Sequence, residues 1–189
     1  MRIIYQDIEL RLVEETDADF IVRLRTDPRN HRFIGETSMV VDDQVDWIRS
    51  YKKREQAGED LYFIAQLNGS PVGTSRLYNI DNGSFTSGSW VFFPDSGNDA
   101  AIRTSILLRM YGFEILNKEY NKFDVRKGNK SVLSYHRLFA PVKIAEDEHD
   151  YYYRLSSSDF WEKLQLLKEI TGMNIPSSIT NFVIDCGNV

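Results

Sequence analysis

LYFIAQLNGSPVGTSRLYNIDNGSFTSGSWVFF, residues 61–93, is the stretch that sets the architecture. Residues 61–67 and 71–78 are apolar-rich runs flanking Asn68-Gly69. That dipeptide between two such runs is a strong type I′ hairpin signal, because both central residues of the turn need positive φ. Asp81-Asn82-Gly83-Ser84 supplies the next turn, and residues 85–93 return as a third antiparallel strand. Downstream, residues 94–99 read as a loop, after which Ile102, Ile106, Met110 and Phe113 fall at helical spacing. A short strand at 122–125, a helix at 131–139 and a last strand at 151–155 follow. Ser157 or Ser158 then caps a final helix bearing Phe160, Leu164 and Leu167, closed by Gly172.

Upstream of the meander, Ile8, Leu10 and Leu12 alternate with Glu9 and Arg11, the pattern of a half-buried strand over 8–13. Thr16 with Asp19 opens a helix carrying Phe20, Ile21 and Leu24, which Thr26-Asp27-Pro28 stops. Residues 29–39 read as loop. A second helix starts near Asp42 or Asp43, carries Val45, Ile48 and Tyr51, and ends at Gly58. The order is β-α-α-β-β-β-α-β-α-β-α. It mixes a meander with helical crossovers, which gives an α/β (α+β) fold with a mixed, mostly antiparallel central sheet flanked by helices.

Composition narrows the function. The chain has 189 residues, 42% hydrophobic and 13% aromatic, enough for one core and too apolar for disorder. One domain over 1–172 with a tail at 173–189 is expected. Net charge is −5, which does not suggest a nucleic-acid binder, although a local basic patch stays open, and no membrane partner is expected. The single Cys excludes an intrachain disulfide and a Cys-based zinc site, and no metal is expected. The N-terminus has no uninterrupted apolar region, and Arg103 and Arg109 break the longest apolar-rich stretch, 102–116. These features point to a soluble, cytoplasmic domain without a signal peptide or membrane span. Strand edges and the apolar residues Ile175, Ile179, Phe182 and Val183 of the tail leave room for a homodimer.

Three stretches in this order resemble the GNAT superfamily of CoA-dependent N-acyltransferases, over roughly residues 8–156. Leu10-Arg11-Leu12 followed by 17–28 is similar to the opening of the branch with ribosomal-protein N-terminal and amino-sugar N-acetyltransferases. Gly88-Ser89-Trp90-Val91-Phe92-Phe93-Pro94 resembles the strand that runs into the acetyl-CoA loop. Asn129, with Ser134-Tyr135-His136 and Leu138-Phe139 after it, resembles the family's Asn-plus-seven motif. The resemblance implies an acyl-CoA co-substrate, with acetyl the first expectation. Its pantetheine arm would lie between two splayed strands, bonded to backbone of Trp90, Val91, Phe92 and Phe93. An N–H of Val91 or Phe92 would act as oxyanion donor, worth roughly 10²–10³ in rate.

The implied diphosphate site falls on Gly97-Asn98-Asp99-Ala100-Ala101-Ile102. It departs from the family's Gly-rich pattern and sets Asp99 where a phosphate would sit, although Arg103 one turn on could restore positive charge. Asn129 matches the family's pantetheine ligand. The general acid that reprotonates the thiolate falls on His136, where the family usually has Tyr; Tyr135 is the alternative if the register slips by one. Ala140-Pro141 replaces the usual Gly-Phe. The family's frequent Glu base corresponds to Thr86, which leaves His31, Asp81 and Asp124 as candidate bases.

The acceptor would enter beside the loop holding Arg25, Arg29, Asn30, His31 and Arg32, whose cations either suit a diphosphate or offset local carboxylates, with Tyr78, Phe85 and Trp90 available to stack on a base or sugar. The favoured reading is N-acylation of a nucleotide-linked amino sugar for surface-glycan synthesis. An N-acetyltransferase of a protein N-terminus or small amine and a catalytically silent GNAT-like binding module stay open.

Overall fold

The computed structural model describes residues 1–172, 174–178, 180 and 183–185, with only the backbone of His31 and Asn98. Strands β1 (Arg2–Tyr5), β2 (Ile8–Leu12), β3 (Asp60–Leu67), β4 (Ser70–Tyr78), β5 (Ser84–Phe92), β6 (Tyr120–Arg126), β7 (Val142–Glu146), β8 (Asp150–Ser156) and β9 (Val183–Asp185) form one sheet in the order β7-β8-β6-β5-β4-β3-β2-β1-β9. Every neighbouring pair for which a register is defined is antiparallel except β5 and β6, which run parallel. Helices α1 (Ala18–Thr26), α2 (Val41–Gln56), α3 (Asn98–Met110), α4 (Lys130–Arg137) and α5 (Ser157–Thr171) flank it.

The meander forms as its turns dictate. Asn68 and Gly69 both take positive φ, 50° and 79°, and Leu67 pairs with Ser70 across the turn. Three strands were not expected. In β1, Ile3 and Tyr5 are buried, but its hairpin turns at Gln6-Asp7, which lacks the Gly or Asn signature, with Gln6 at φ 57°. Strand β7 lies at a sheet edge with all five residues exposed, so no buried face marks it. Strand β9 is three residues long and pairs with β1. With Ile175 buried in the core, it packs the described part of the tail onto the domain. Ile179 and Phe182 lie outside the described residues.

Two apolar clusters cover the two sheet faces. One joins Leu10, Phe63 and Phe85 to Leu107 of α3 and Phe160 of α5; the other joins Tyr62, Ile64 and Val91 to Ile21 of α1 and Ile48 of α2. Burying each such side chain contributes roughly 1.5–3 kcal/mol. Helix α3 continues into a π-helical turn at 111–115, where Gly112 meets the Phe85 ring so closely that a Cβ would stand 2.4 Å from it.

The feature that makes a site is a fork. Strands β5 and β6 pair only at Ser84↔Tyr120, Phe85↔Asn121 and Thr86↔Lys122. Beyond that β5 follows β4 to Phe92, and β6 follows β8 to Arg126. A bulge between Thr74 and Arg76 sets three steps of β5 against two of β4. Such a bulge bends the strand that carries it, here with Ser89 at φ 47° and its carbonyl accepting from Thr74 Oγ1 at 2.9 Å.

Two backbone substitutions should move stability in opposite directions. Ala140, where the resemblance places Gly, holds φ 49°. Ala140→Gly should therefore stabilise by about 0.5–1 kcal/mol as the left-handed strain is relieved. Gly112→Ala should destabilise by about 1–3 kcal/mol through overpacking on Phe85. Denaturant unfolding of both variants checks the signs.

Candidate active site

The fork opens a cleft of about 550 Å³. One wall is the β5 edge over residues 87–92, and the other is Phe123, Asp124, Val125 and Arg126 of β6. Helix α4 closes it with Asn129, Ser131, Val132 and His136, and α3 reaches it with Ser105 and Leu108. Because β6 has turned away, the β5 edge offers backbone groups to a ligand in place of a neighbouring strand. Trp90 is fixed by its Nε1–H, which donates to Ala101 O at 2.9 Å, and its ring lies 5.1 Å from that of Tyr135.

His136 is buried, with its ring 4.3 Å from Phe123 and 6.0 Å from Trp90. Arg109 Nη2 donates to its Nδ1 at 2.9 Å. Burial first, and the Arg109 charge second, hold its pKa well below the ordinary 6.5. His136 is thus neutral at physiological pH, which removes the imidazolium acid expected of it. Tyr135 faces the core rather than the cleft. Its hydroxyl lies 3.5 Å from Arg109 Nη1, its ring packs on Phe139, and burial raises its pKa.

Other expected residues divide. Val91 is packed in the core behind its strand, and Phe92 sits against Gly73. Phe93 lies one residue beyond β5, its ring edge-on to Phe20 at 5.9 Å, and does not line the cleft. Asn129 lines the cleft while capping α4, its Oδ1 accepting from Val132 N at 3.3 Å and Ser131 Oγ at 3.1 Å. Residues 97–103 stand outside the cleft, at the start of α3. Gly97, at φ 79°, precedes the helix, Ala100 is buried, and Ile102 packs on the core. Asn98's side chain lies outside the described residues. Arg103 does not supply a free charge: its guanidinium pairs with Asp7 and, at 3.0 Å, with Asp99.

The basic loop is also mostly committed. Arg29 pairs bidentately with Asp27 and reaches Asp95 at 2.8 Å; those contacts raise its pKa and lower that of Asp27 to about 2. Arg32 lies over the Phe33 ring and does not line the cleft. Asn30 clamps chain ends, donating to Leu24 O and Phe92 O. His31's side chain lies outside the described residues. Arg25 bonds Thr37 and Gly35, and lines both the cleft and an adjoining recess of about 380 Å³ walled by Trp47, Tyr62 and Arg76.

Of the base candidates, Asp81 caps its own turn through Gly83 and Ser84 and does not line the cleft. Asp124 does. Burial and then the nearby Asp150 charge raise its pKa, and Tyr78 lines the cleft close enough to feel its charge. Arg109, which in the sequence marks only a charge interrupting an apolar stretch, reaches the site through its bond to His136.

The profile described as an acetyltransferase (GNAT) domain matches residues 7–143. The chain belongs to the GNAT acetyltransferase family, and so is an acyl-CoA-dependent N-acyltransferase. It is similar to the solved structure of apo FdhC, described as a nucleotide-linked sugar GNAT, at 37% identity and TM-score 0.78, covering 89% of this chain and 97% of that one. Mycobacterium smegmatis RimJ in complex with CoA-disulfide shares the fold at 15% identity, TM-score 0.71 and coverage of 88% and 93%. Campylobacter jejuni N-acetyltransferase PseH does so at 19%, 0.61, and 80% and 99%. No curated protein matches.

A neutral buried imidazole leaves a signature in stability. The unfolded chain takes up the His136 proton near pH 6.5, whereas the folded chain does so only far below. This contribution is therefore absent above that pH and destabilises progressively as pH falls through it. His136→Asn should show a shallower loss of Tm between about pH 7 and about pH 5 than the parent chain. Parallel slopes would contradict the assignment.

Proposed function

We propose that this enzyme acylates the amino group of a nucleotide-linked amino sugar. The observation that carries the reading is the 37% identity to FdhC over 89% of the chain. The pantetheine arm is assigned to the β5 edge at Trp90, Val91 and Phe92, with Asn129 at the mouth of α4. The diphosphate is assigned to the α3 N-terminus after Gly97, held by backbone N–H groups rather than by Arg103. The acceptor is assigned to the side where Arg25 and Tyr78 meet the recess beside Trp47.

The chemistry then follows from the two walls. The amine nitrogen attacks the thioester carbonyl carbon, and a C–N bond forms. A β5 N–H holds the oxyanion while Asp124 accepts the proton that nitrogen loses. The C–S bond breaks, and the thiolate leaves past His136 to take a proton from solvent. Asp124 returns its proton to solvent, so that one proton passes from nitrogen to sulfur overall.

Acyl-CoA consumption should be measured over nucleotide-linked amino sugars beside peptides with free N-termini and polyamines. Turnover confined to the sugars is expected, and turnover only with peptides refutes the reading. Arg25→Ala should raise the acceptor KM about ten- to a hundredfold and leave that of acyl-CoA nearly unchanged, whereas Arg32→Ala should alter neither.

Asp124→Asn should lower kcat by about 10²–10⁴. Because burial and Asp150 favour the protonated acid, the base form is present above a raised midpoint and lost as pH falls through it. The acid limb of the parent kcat profile should therefore lie above the ordinary carboxylate range and disappear in the variant.

A further inference from the structure

Arg109 is 1% exposed and makes no ion pair with a carboxylate among the described residues. Its guanidinium is enclosed by the rings of Phe123, Tyr135 and Phe139 at 5.1–5.7 Å. Burying an uncompensated charge is costly, and apolar residues of similar volume often replace buried ions at no loss of stability. A reason beyond packing is therefore needed, and the hydrogen bonds supply one.

Nε donates to Asn121 Oδ1 at 3.1 Å, and Asn121 Nδ2 donates onward to Ser87 Oγ at 3.0 Å. Nη2 donates to His136 Nδ1 at 2.9 Å. Ser87 on β5 and His136 on α4 both line the cleft. Arg109 therefore ties two sides of the site together just where the strands part. A guanidinium can only donate, so Nδ1 must accept, and the ring proton resides on Nε2. His136 lines the cleft, and with Nδ1 engaged by Arg109, Nε2 is the ring nitrogen left for a ligand there. The titratable and charged groups facing the ring are Arg109 from α3 and Tyr135 from α4 itself; β5 and β6 present Trp90 and Phe123.

We infer that Arg109 is a positioning residue: it locks His136 as a neutral imidazole with its proton on Nε2, so that the cleft receives a fixed hydrogen-bond donor for the departing thiolate rather than a transferable proton. The inference rests on acyl transfer from CoA and is independent of which amine accepts the group. No proton changes owner at His136. The thiolate leaves hydrogen-bonded to Nε2–H and is protonated by solvent.

The test is 15N NMR of histidine-labelled protein, with His136 assigned by its loss in His136→Asn, alongside acyl-transfer kinetics. The parent chain should show a pyridine-type Nδ1, a pyrrole-type Nε2 and no titration near pH 6.5. Arg109→Lys, which keeps a donor for Nδ1, should preserve the tautomer and most of kcat. Arg109→Met should give mixed tautomers, a midpoint moved toward the ordinary value, and kcat lower by about ten- to a hundredfold, with the KM for acyl-CoA nearly unchanged. A proton on Nδ1, or a charged ring at neutral pH, overturns the inference in the parent chain alone, even should Arg109→Met fail to fold. A single Nε2–H tautomer with full kcat in Arg109→Met also overturns it. Failure of the sugar reading would appear only in the acceptor screen and leave these spectra unchanged.

Discussion

The site depends on three residue pairs of parallel strand, Ser84 to Thr86 against Tyr120 to Lys122, and on their ending there. Had pairing continued, the edge of β5 would have been satisfied by β6 and nothing could enter. Had it not begun, the sheet would have split into two pieces. Each strand is diverted by its other neighbour: the bulge at Ser89 swings β5 with β4, and the long register with β8 holds β6. The result is a sheet with an edge in its interior, a liability that a bound ligand can cover.

An open fork needs something at its base, and the sequence places a charge there. Arg109 bonds Asn121 beside the last paired residues and His136 across on α4, inside a wall of aromatic rings. Aromatic faces attract a guanidinium and shed little water to meet it, which offsets part of the desolvation cost. The same residue thus acts on two levels, as a brace of the sheet and as the group that sets the state of a side chain in the cleft.

Much of this was legible from sequence where local chemistry is strict. Asn68-Gly69 fixed the first hairpin because few residues tolerate two positive φ values, and Asn129 and His136, seven apart, do fall on the same cleft. What was not legible depended on partners distant in sequence. The cations of 25–32 suit a diphosphate in the sequence, yet Arg29 is paired both with Asp27 beside it and with Asp95, sixty-six residues away, and Arg103 is paired with Asp7. Tyr135 and His136 are adjacent, and only the rotation of α4 decides which one meets the cleft. Strands β1, β7 and β9 lacked, respectively, a turn signature, a buried face and length.

The electrostatics of the cleft bear on which amines it suits. Burial pushes Asp124 up and His136 down, so that each is moved toward its uncharged form. The same desolvation acts on a substrate: an ammonium entering this environment is driven to shed its proton, and the work required grows with the amine's pKa. An amine already largely unprotonated near neutral pH enters at little cost, and a single carboxylate such as Asp124 suffices to remove the proton released on attack. An alkyl ammonium such as lysine would need either a stronger base or an acidic groove to receive it. Arg25, which lines the cleft without a carboxylate partner among the described residues, disfavours such a cation and suits a phosphate. Both arguments, from proton affinity and from charge, favour an acceptor whose amine is weakly basic and whose remainder is anionic, the combination found in an amino sugar linked to a nucleotide.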